Sequence, residues 1–214
     1  EQAGSSIVSD AGLTLTGNLN QTQASLSATD GVSISGTLTQ STGTLSAGGA
    51  VAIGGNVTQS ASSRIGGATV SVGAGGAATT LSQDASSITG TYGVAITLSG
   101  NLVQSATGSI ISTAGNVSLT SSGGSLLLGG LVQSDATGTV ALNAANGAIS
   151  ETAQGGSGPT GVIIAGTLSG TSGTDTALLT ESSLGGGNQI GAVQNFTAAR
   201  SFALGDCRAL TVSG

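Results

Sequence analysis

The sequence predicts an all-β fold, a parallel β-solenoid of roughly nine to ten coils with about 19–24 residues per coil. Three observations support this prediction. They are a repeat of fixed period, short apolar runs that alternate with small polar residues, and a chain in which almost every side chain is small or β-branched. A core filled by such side chains is narrow, which suits a slender stack of coils better than a globular enzyme.

The repeat is clearest in the first third of the chain. Three units open with Gly-x-Leu/Val-x-Gln, and their glutamines (Gln21, Gln40 and Gln59) follow one another at intervals of 19 residues. Each of the first two units continues with Leu-Ser-Ala and then Val-x-Ile, so each contains three short runs typical of strands. Units of this length bury their apolar faces only against their neighbours, as the coils of a solenoid do.

The period lengthens after Gln59. The next glutamines of this pattern are Gln83, Gln104 and Gln133, and the added residues fall in segments rich in Gly, Ala and Ser. Residues 1–150 are therefore interpreted as regular coils with Gly-x-Leu/Val-x-Gln repeats, whose turns accept insertions. Residues 151–214 are interpreted as an irregular continuation of the same solenoid with longer loops, the first of them over 151–159.

The glutamines predict a structural ladder. In Leu19-Asn20-Gln21 the glutamine comes two positions after an apolar residue, so both side chains share one face of a strand. Amides of successive coils would lie about 4.8 Å apart and hydrogen-bond along the axis. A row of glutamines that binds a ligand is the alternative. The predicted amide stack comprises Gln21, Gln40, Gln59, Gln83, Gln104 and Gln133.

Three Gly-Asn pairs predict turns. The asparagines are Asn18, Asn56 and Asn101, and each stands at the start of a unit. Gly-Asn suits turns with positive φ, and a stacked asparagine at a corner is the expected role.

Composition argues against several functions. The chain has 6% charged residues and a net charge of −6, with no Lys or His and three Arg. No basic patch can form, so nucleic-acid binding is not expected. No apolar run reaches the length of about 18 residues that a membrane helix requires, so no membrane insertion is expected. The absence of a signal peptide before Glu1 predicts a processed product or an excised fragment.

No catalytic, cofactor or metal site is predicted. Carbohydrate-active β-helices need clustered acids, a basic residue and aromatic platforms, whereas the acids here are scattered, mostly in turns. Asp30, Asp84 and Asp135 would approach one another only if their turns stacked. Asp175 and Glu181 could hold a weak calcium ion, although a solvated loop is favoured. The acids are Glu1, Asp10, Asp30, Asp84, Asp135, Glu151, Asp175, Glu181 and Asp206.

Cys207 and the threonine pattern also bear on the expected function. The lone Cys207 excludes an intrachain disulfide and is predicted to be a small buried residue rather than a reactive thiol. Ice-binding solenoids present regular columns of threonine, but Ser33 and Ala52 occupy places equivalent to Thr14, so ice binding is not favoured.

The repeat resembles the repeats of filamentous-haemagglutinin-like exoproteins. The resemblance rests on Gly-Asn-Leu/Val-x-Gln-Ser, Leu-Ser-Ala and Val-x-Ile-x-Gly at a period of 19 residues, and it is strongest over 13–60 and 81–142. Those proteins are large bacterial adhesins exported by two-partner secretion, and their shafts are right-handed parallel β-helices. The resemblance therefore implies a single right-handed β-helix. The family's secretion domain, with its Asn-Pro-Asn motifs, is not found here, so an outer-membrane transporter is implied only for a longer precursor.

The expected function is a non-catalytic structural shaft of a secreted or cell-surface bacterial adhesin, a stiff extracellular rod near 50 Å long at about 4.8 Å per coil. Its expected partners are flanking coils of a longer chain or, by end-to-end association, further copies of itself. The alternative is a self-assembling subunit of a homopolymeric extracellular fibre or biofilm matrix.

Overall fold

The computed structural model is an all-β solenoid that describes residues 2–76, 78–151, 160–179 and 187–213. Within these ranges every regular element is a strand, and no helix occurs. In chain order the strands are β1 (Gln2–Ala3), β2 (Ser6–Ser9), β3 (Leu13–Leu15), β4 (Leu19–Thr22), β5 (Ser25–Ala28), β6 (Val32–Ile34), β7 (Leu38–Ser41), β8 (Thr44–Ala47), β9 (Ala50–Ile53), β10 (Val57–Ser60), β11 (Arg64–Val72), β12 (Leu81–Gln83), β13 (Ser87–Leu98), β14 (Leu102–Gln104), β15 (Ser109–Ser112), β16 (Asn116–Ser121), β17 (Leu126–Leu128), β18 (Leu131–Gln133), β19 (Thr139–Ala144), β20 (Ile149–Ser150), β21 (Val162–Ser172), β22 (Thr176–Leu178), β23 (Gln189–Ala198), β24 (Phe202–Leu204) and β25 (Thr211–Ser213).

The strands form two parallel sheets that stack along the solenoid. Sheet A has ten strands, one from each coil, in the order β1-β4-β7-β10-β12-β14-β17-β20-β22-β24. Sheet B contains the other 15 strands. Neighbouring strands come from successive coils and are parallel, as in β4 with β7 and β7 with β10. The predicted all-β parallel β-solenoid is confirmed.

Sheet B is made of two stacks that share four long strands. The first stack continues from β2, β5 and β8, and the second from β3, β6 and β9. β11 pairs with both β8 and β9, because its nine residues turn the corner between the stacks without a break. β13, β21 and β23 do the same, so the two separate strands expected from the short repeat units become one strand in these coils.

The core consists of columns of identical or similar aliphatic side chains. Leu26 pairs with Leu45 and Leu45 with Ile65, while Ile34 pairs with Ile53. These side chains are almost completely buried. Most strands alternate buried and outward residues, so Leu, Ile, Val and Ala make up most of the interior.

Most of the added residues lie at the corners between strands. Gln2, Gln21, Gln40 and Gln59 pair in register at intervals of 19 residues, and the longer coils that follow keep this register in sheet A. In sheet B the register shifts by one residue where β13 pairs with β11 and where β23 pairs with β21. The coil that separates Ser150 from Ala177 exceeds the predicted upper limit of 24 residues. The loop predicted over 151–159 lies outside the described residues except for Glu151, which is buried.

One corner adopts the same left-handed turn in the first five coils. The residues with positive φ in this turn, which joins sheet A to the first stack of sheet B, are Gly4, Gln23, Thr42, Ala61, Ser62 and Ala85. Most of them are not glycine, and Thr42 at φ 53° is β-branched, a residue type that rarely adopts this conformation. The coil-to-coil hydrogen bonds on either side hold the turn in place, for example from Gln23 N to Ser41 O at 2.9 Å.

Replacing a core residue with a charge is expected to disrupt one coil. Ile53 is 1% exposed, and Ile53→Asp would bury a carboxylate among aliphatic side chains, at a cost of more than about 4 kcal/mol. Limited proteolysis followed by mass spectrometry should find new cleavage near β9. Ser33→Asp, on the outward face of the preceding coil, is the control and should keep the protease resistance of the wild type. Equal resistance of both variants would contradict the stacked core.

The close approach of neighbouring coils at the corners predicts which glycines the fold requires. A Cβ at Gly36 would lie 2.5 Å from the backbone of Gly17 and would collide with the Asn18 side chain, whereas a Cβ at Gly75 would meet nothing within 4 Å. Gly36→Ala is therefore expected to lower the free energy of unfolding by at least about 2 kcal/mol. Gly75→Ala should leave it unchanged or raise it by about 0.5 kcal/mol, because alanine restricts the unfolded chain. Chemical denaturation measures both, and a reversed order would contradict the close approach of coils at Gly36.

Candidate functional site

Five of the six predicted glutamines lie in one buried column along sheet A. Gln21, Gln40, Gln59, Gln83 and Gln104 are paired in register between successive coils. Each is at most 1% exposed, so the amides point into the interior at the corner where sheet A meets the first stack of sheet B.

Hydrogen bonds between side chains connect most of this column. Gln40 Nε2 donates to Gln21 Oε1 at 2.7 Å, and Gln59 Nε2 donates to Gln40 Oε1 at 3.0 Å. Gln104 Nε2 donates to Gln83 Oε1 at 3.1 Å. The oxygens of Gln21, Gln40 and Gln83 therefore each have a donor from the next coil, which a buried polar group needs.

The same amides also close the corner. Gln83 Nε2 donates to Ser109 O at 2.8 Å, and Gln104 Nε2 donates to Leu131 O at 3.1 Å. Gln21, Gln40 and Gln59 make longer contacts of the same kind with the next coil. The accepting carbonyls belong to the first residues of the strands in the first stack of sheet B. One amide thus joins two sheets and neighbouring coils.

The column has one interruption, between Gln59 and Gln83. Gln83 Nε2 directs its hydrogens to Ser86 O and Ser109 O, at 3.1 and 2.8 Å, and none to the preceding glutamine. Gln59 Oε1 is buried and accepts no hydrogen bond from the described residues. The glutamines therefore form two short ladders, one of three residues and one of two.

Gln133 does not belong to this column, and its predicted place in the ladder is wrong. Gln133 lies in the first stack of sheet B, paired with Ile111 and Ile164. Its neighbour Val132 is fully buried, while Leu131 and Gln133 face outward and are half-buried. The strand contains the expected apolar residues, but Val132 rather than Leu131 points inward, which reverses the predicted alternation.

Leucine takes the place of glutamine further along the column. Leu128 pairs with Gln104, and Leu178 pairs with Leu204 in the last two coils. Glu151 directly follows β20, whose Ser150 pairs with Leu127, and it is 7% exposed. The sequence predicts Glu151 at the start of a longer loop and gives no sign of this burial.

The three predicted asparagines cap the coil that follows each of them. Asn18 Oδ1 accepts a hydrogen bond from Thr37 N at 2.8 Å, Asn56 Oδ1 from Thr79 N at 2.7 Å, and Asn101 Oδ1 from Ser125 N at 2.8 Å. The partners are backbone N–H groups rather than other asparagines. Of the three preceding glycines, all of them described, only Gly17 has a positive φ. Stacking of asparagine on asparagine is therefore not the role of these residues.

Two further Gly-Asn pairs have similar roles that the sequence reasoning missed. Asn116 Oδ1 accepts a hydrogen bond from Thr139 N at 2.8 Å. Asn188 is completely buried, accepts from Ile163 N at 2.7 Å and donates to Gly205 O at 3.1 Å. The Gly-Asn dipeptide itself was the available signal.

The described acidic residues do not converge. Asp30 and Asp135 lie at corners between the stacks of sheet B in distant coils, and Asp84 follows β12 of sheet A at another corner. No group of three His, Cys, Asp or Glu residues able to hold a metal occurs in the described ranges. Asp175 accepts a hydrogen bond from Ser201 Oγ at 2.7 Å, whereas Glu181, its proposed calcium partner, lies outside the described residues.

Asp135 organises a tight turn before β19. The Thr137 backbone N–H donates to its Oδ1 at 2.6 Å, the Thr137 hydroxyl at 2.9 Å and the Gly138 N–H at 2.7 Å. The Thr137 backbone hydrogen bond, followed by the Thr137 hydroxyl, holds the pKa of this carboxyl below its ordinary value of 3.8 against an opposing effect of desolvation. The turn depends on the ionised form.

Cys207 is exposed, which corrects its predicted burial. Its backbone N–H donates to Asn188 O at 2.9 Å, and it lies in the segment between β24 and β25 that forms no strand. The expected alternation of a strand therefore does not apply at this position.

In the first coils the threonines form no regular column, as the sequence predicts. Thr14 pairs with Ser33, and Ser33 with Ala52, so no threonine column forms there. In later coils Thr97 pairs with Thr120, and Thr171 with Thr197, with Asn143 between the two pairs.

Comparisons of the chain with family models, with curated proteins and with solved structures find no match. The described part of the chain contains no helix of the length and apolarity that a membrane span requires.

The ladder predicts unequal costs for two glutamine substitutions. Gln40→Leu removes two side-chain hydrogen bonds and should lower the free energy of unfolding by about 2–3 kcal/mol. Gln59→Leu removes one of them, together with an oxygen that has no donor among the described residues, and should cost about 1 kcal/mol less. Thr39→Leu, on the outward face, controls for added apolar surface. Chemical denaturation compares the three variants, and equal losses for the two glutamine variants would contradict the ladder.

The Asp135 turn predicts a dependence of stability on pH. Because its pKa is lowered in the folded state, the carboxylate stabilises the fold fully above pH 3.8 and loses this effect as the pH falls through the folded value. Asp135→Ala should therefore be less stable than the wild type at neutral pH, and the difference should shrink on acidification. Urea denaturation over a pH series measures this difference. A difference that stays constant down to the lowest pH would contradict the assignment.

Proposed function

We propose that this chain is a stiff, non-catalytic structural rod that acts as a shaft segment of an extracellular bacterial adhesin of the filamentous-haemagglutinin-like kind. One observation carries the proposal: parallel strand pairing continues in sheet A from β1 to β24 through ten coils. A continuous ladder of this kind resists bending and local opening, because every coil between the two ends is hydrogen-bonded to both neighbours.

The surface chemistry supports a mechanical role. Only three cations occur in the whole sequence, and the described residues contain no group of three Asp, Glu, His or Cys side chains that could hold a metal ion. Catalysis on a sugar or an ester needs several convergent polar groups, which the described residues do not bring together. In this proposal the rod is secreted or displayed at the cell surface, binds no nucleic acid and does not enter the membrane.

The proposed partners of this chain are further solenoid coils that pair with its two ends. At the first and last described coils the strands have one paired edge, and apolar side chains of the inward face are exposed there, among them Ile7 and Val212, at 40% and 75%. Flanking coils of a longer chain would cover these side chains and continue the columns. Export of such a longer chain through an outer-membrane transporter belongs to the same proposal.

A second candidate function rests on the same exposed residues. Copies of the chain that stack coil on coil would form a homopolymeric fibre or matrix, since an open strand edge pairs readily with another strand.

Electron microscopy of native material carrying a label on this chain distinguishes these functions. Thin rods of fixed length attached to cells would support the shaft. Indefinitely long fibres, with the label repeating at the length of one chain, would support the subunit. Compact particles free in the supernatant would contradict both proposals. Cells producing Ile53→Asp are the matched control, because a broken coil should shorten or remove rods and fibres while Ser33→Asp should not.

A further inference from the structure

Tyr92 stands out on the surface of the solenoid. It is the only tyrosine in the chain and is 68% exposed. The two phenylalanines, Phe196 and Phe202, instead contact each other in the last coils, with ring centroids 4.7 Å apart. Exposing a large aromatic side chain to water is unfavourable, and such residues are common where a protein contacts a partner.

The backbone around Tyr92 is held firmly. Tyr92 lies within β13, at the corner where this strand passes from the first to the second stack of sheet B. In the next coil Ala114 N donates to Thr91 O at 2.7 Å. A Cβ at Gly115 would collide with the Tyr92 carbonyl, so glycine there allows the two coils to approach closely. The ring therefore projects from a fixed support, which lowers the entropic cost of binding.

Two hollows meet at this side chain. One has a volume of about 330 Å³ and lies toward the second stack, where Thr69, Ser71, Asn116 and Ser118 contribute polar groups. The other, of about 420 Å³, lies toward the first stack and includes Ser46, Thr89 and Thr91. Tyr92 lines both, and glycine and alanine make up much of the remaining surface.

The lining selects the chemistry of a ligand. Neither hollow contains an Asp, Glu, Lys or Arg side chain, so a charged ligand would lose hydration without gaining an ion pair. Hydroxyl and amide groups surround one exposed aromatic face. A neutral sugar ring matches this arrangement, because it offers an apolar C–H face to the aromatic ring and hydroxyls at its edge.

We propose that Tyr92 is the stacking platform of a binding site for a neutral oligosaccharide, with one sugar over the tyrosine ring and its neighbours in the two hollows. The site goes beyond the structural role proposed above and does not depend on it. A binding measurement on the isolated chain in solution tests it without reference to rods or fibres.

The composition of the chain provides a direct probe. With one Tyr and no Trp, the intrinsic fluorescence of the protein arises from Tyr92. Titration with cellohexaose, maltohexaose and chitohexaose should give a saturable change in tyrosine emission, and protection from quenching by acrylamide, with at least one of them. Hexagalacturonic acid, a charged oligosaccharide of similar size, should give neither. No saturable change with any of the three neutral oligosaccharides at millimolar concentration would overturn the proposal.

Variants then distinguish the contribution of the tyrosine ring to binding from a general effect on the fold. By calorimetry with the oligosaccharide that binds, Tyr92→Ala should weaken affinity by about tenfold or more, which corresponds to a loss of about 1.4 kcal/mol. Tyr92→Phe should retain most of the affinity. Val103→Ala, at a residue that is 41% exposed on sheet A, is the control and should bind as the wild type does. Unchanged affinity of Tyr92→Ala, or equal binding of hexagalacturonic acid, would overturn the proposal.

Discussion

The parallel backbone ladder between successive coils is the constraint on which the rest of the structure depends. Once Leu19 is paired with Leu38 and Leu38 with Val57, every other side chain of these coils is placed above its counterpart. Aliphatic residues then meet aliphatic residues inside, and amides meet amides. A shift by one residue would turn the whole inward set outward, so burial of the core selects a single register.

The glutamine column shows how polar groups can serve such a core. An amide carries both donors and an acceptor, and it can therefore satisfy a copy of itself one coil away while closing a corner with its second hydrogen. The same position accepts Leu128 once the turn changes, because leucine needs no partner. Glutamine specifies where a coil must lie, whereas leucine adds only apolar burial. Five successive coils, from that of Gln21 to that of Gln104, use the more specific residue.

Much of this fold could be predicted from the sequence because the same residue pattern recurs several times along the chain. Gln21, Gln40 and Gln59 are surrounded by nearly identical residues, so the period, the inward phase and the ladder follow from one another. Gln133 could not be placed, since Leu131-Val132-Gln133 reads the same in either phase, and Leu126–Leu128 takes the place in sheet A that was predicted for it. The break at Gln83 depends on the choice of a backbone carbonyl over a side-chain oxygen, which no sequence pattern encodes. The exposed corner position of Tyr92 likewise depends on β13 continuing through Gly90 and Gly93.

The first coils all have the same length of 19 residues, and this constrains how the gene can gain or lose repeats. The units that begin at Gly17 and Gly36 are equally long and are paired residue by residue with their neighbours. Unequal recombination that deletes or duplicates one such unit rejoins the chain at equivalent positions. The amide ladder, the aliphatic columns and the capping asparagine or threonine positions are then restored across the junction. Length at this end of the molecule is thus free to vary by whole units over evolutionary time, while a gain or loss of any other size inside a strand would destroy the register.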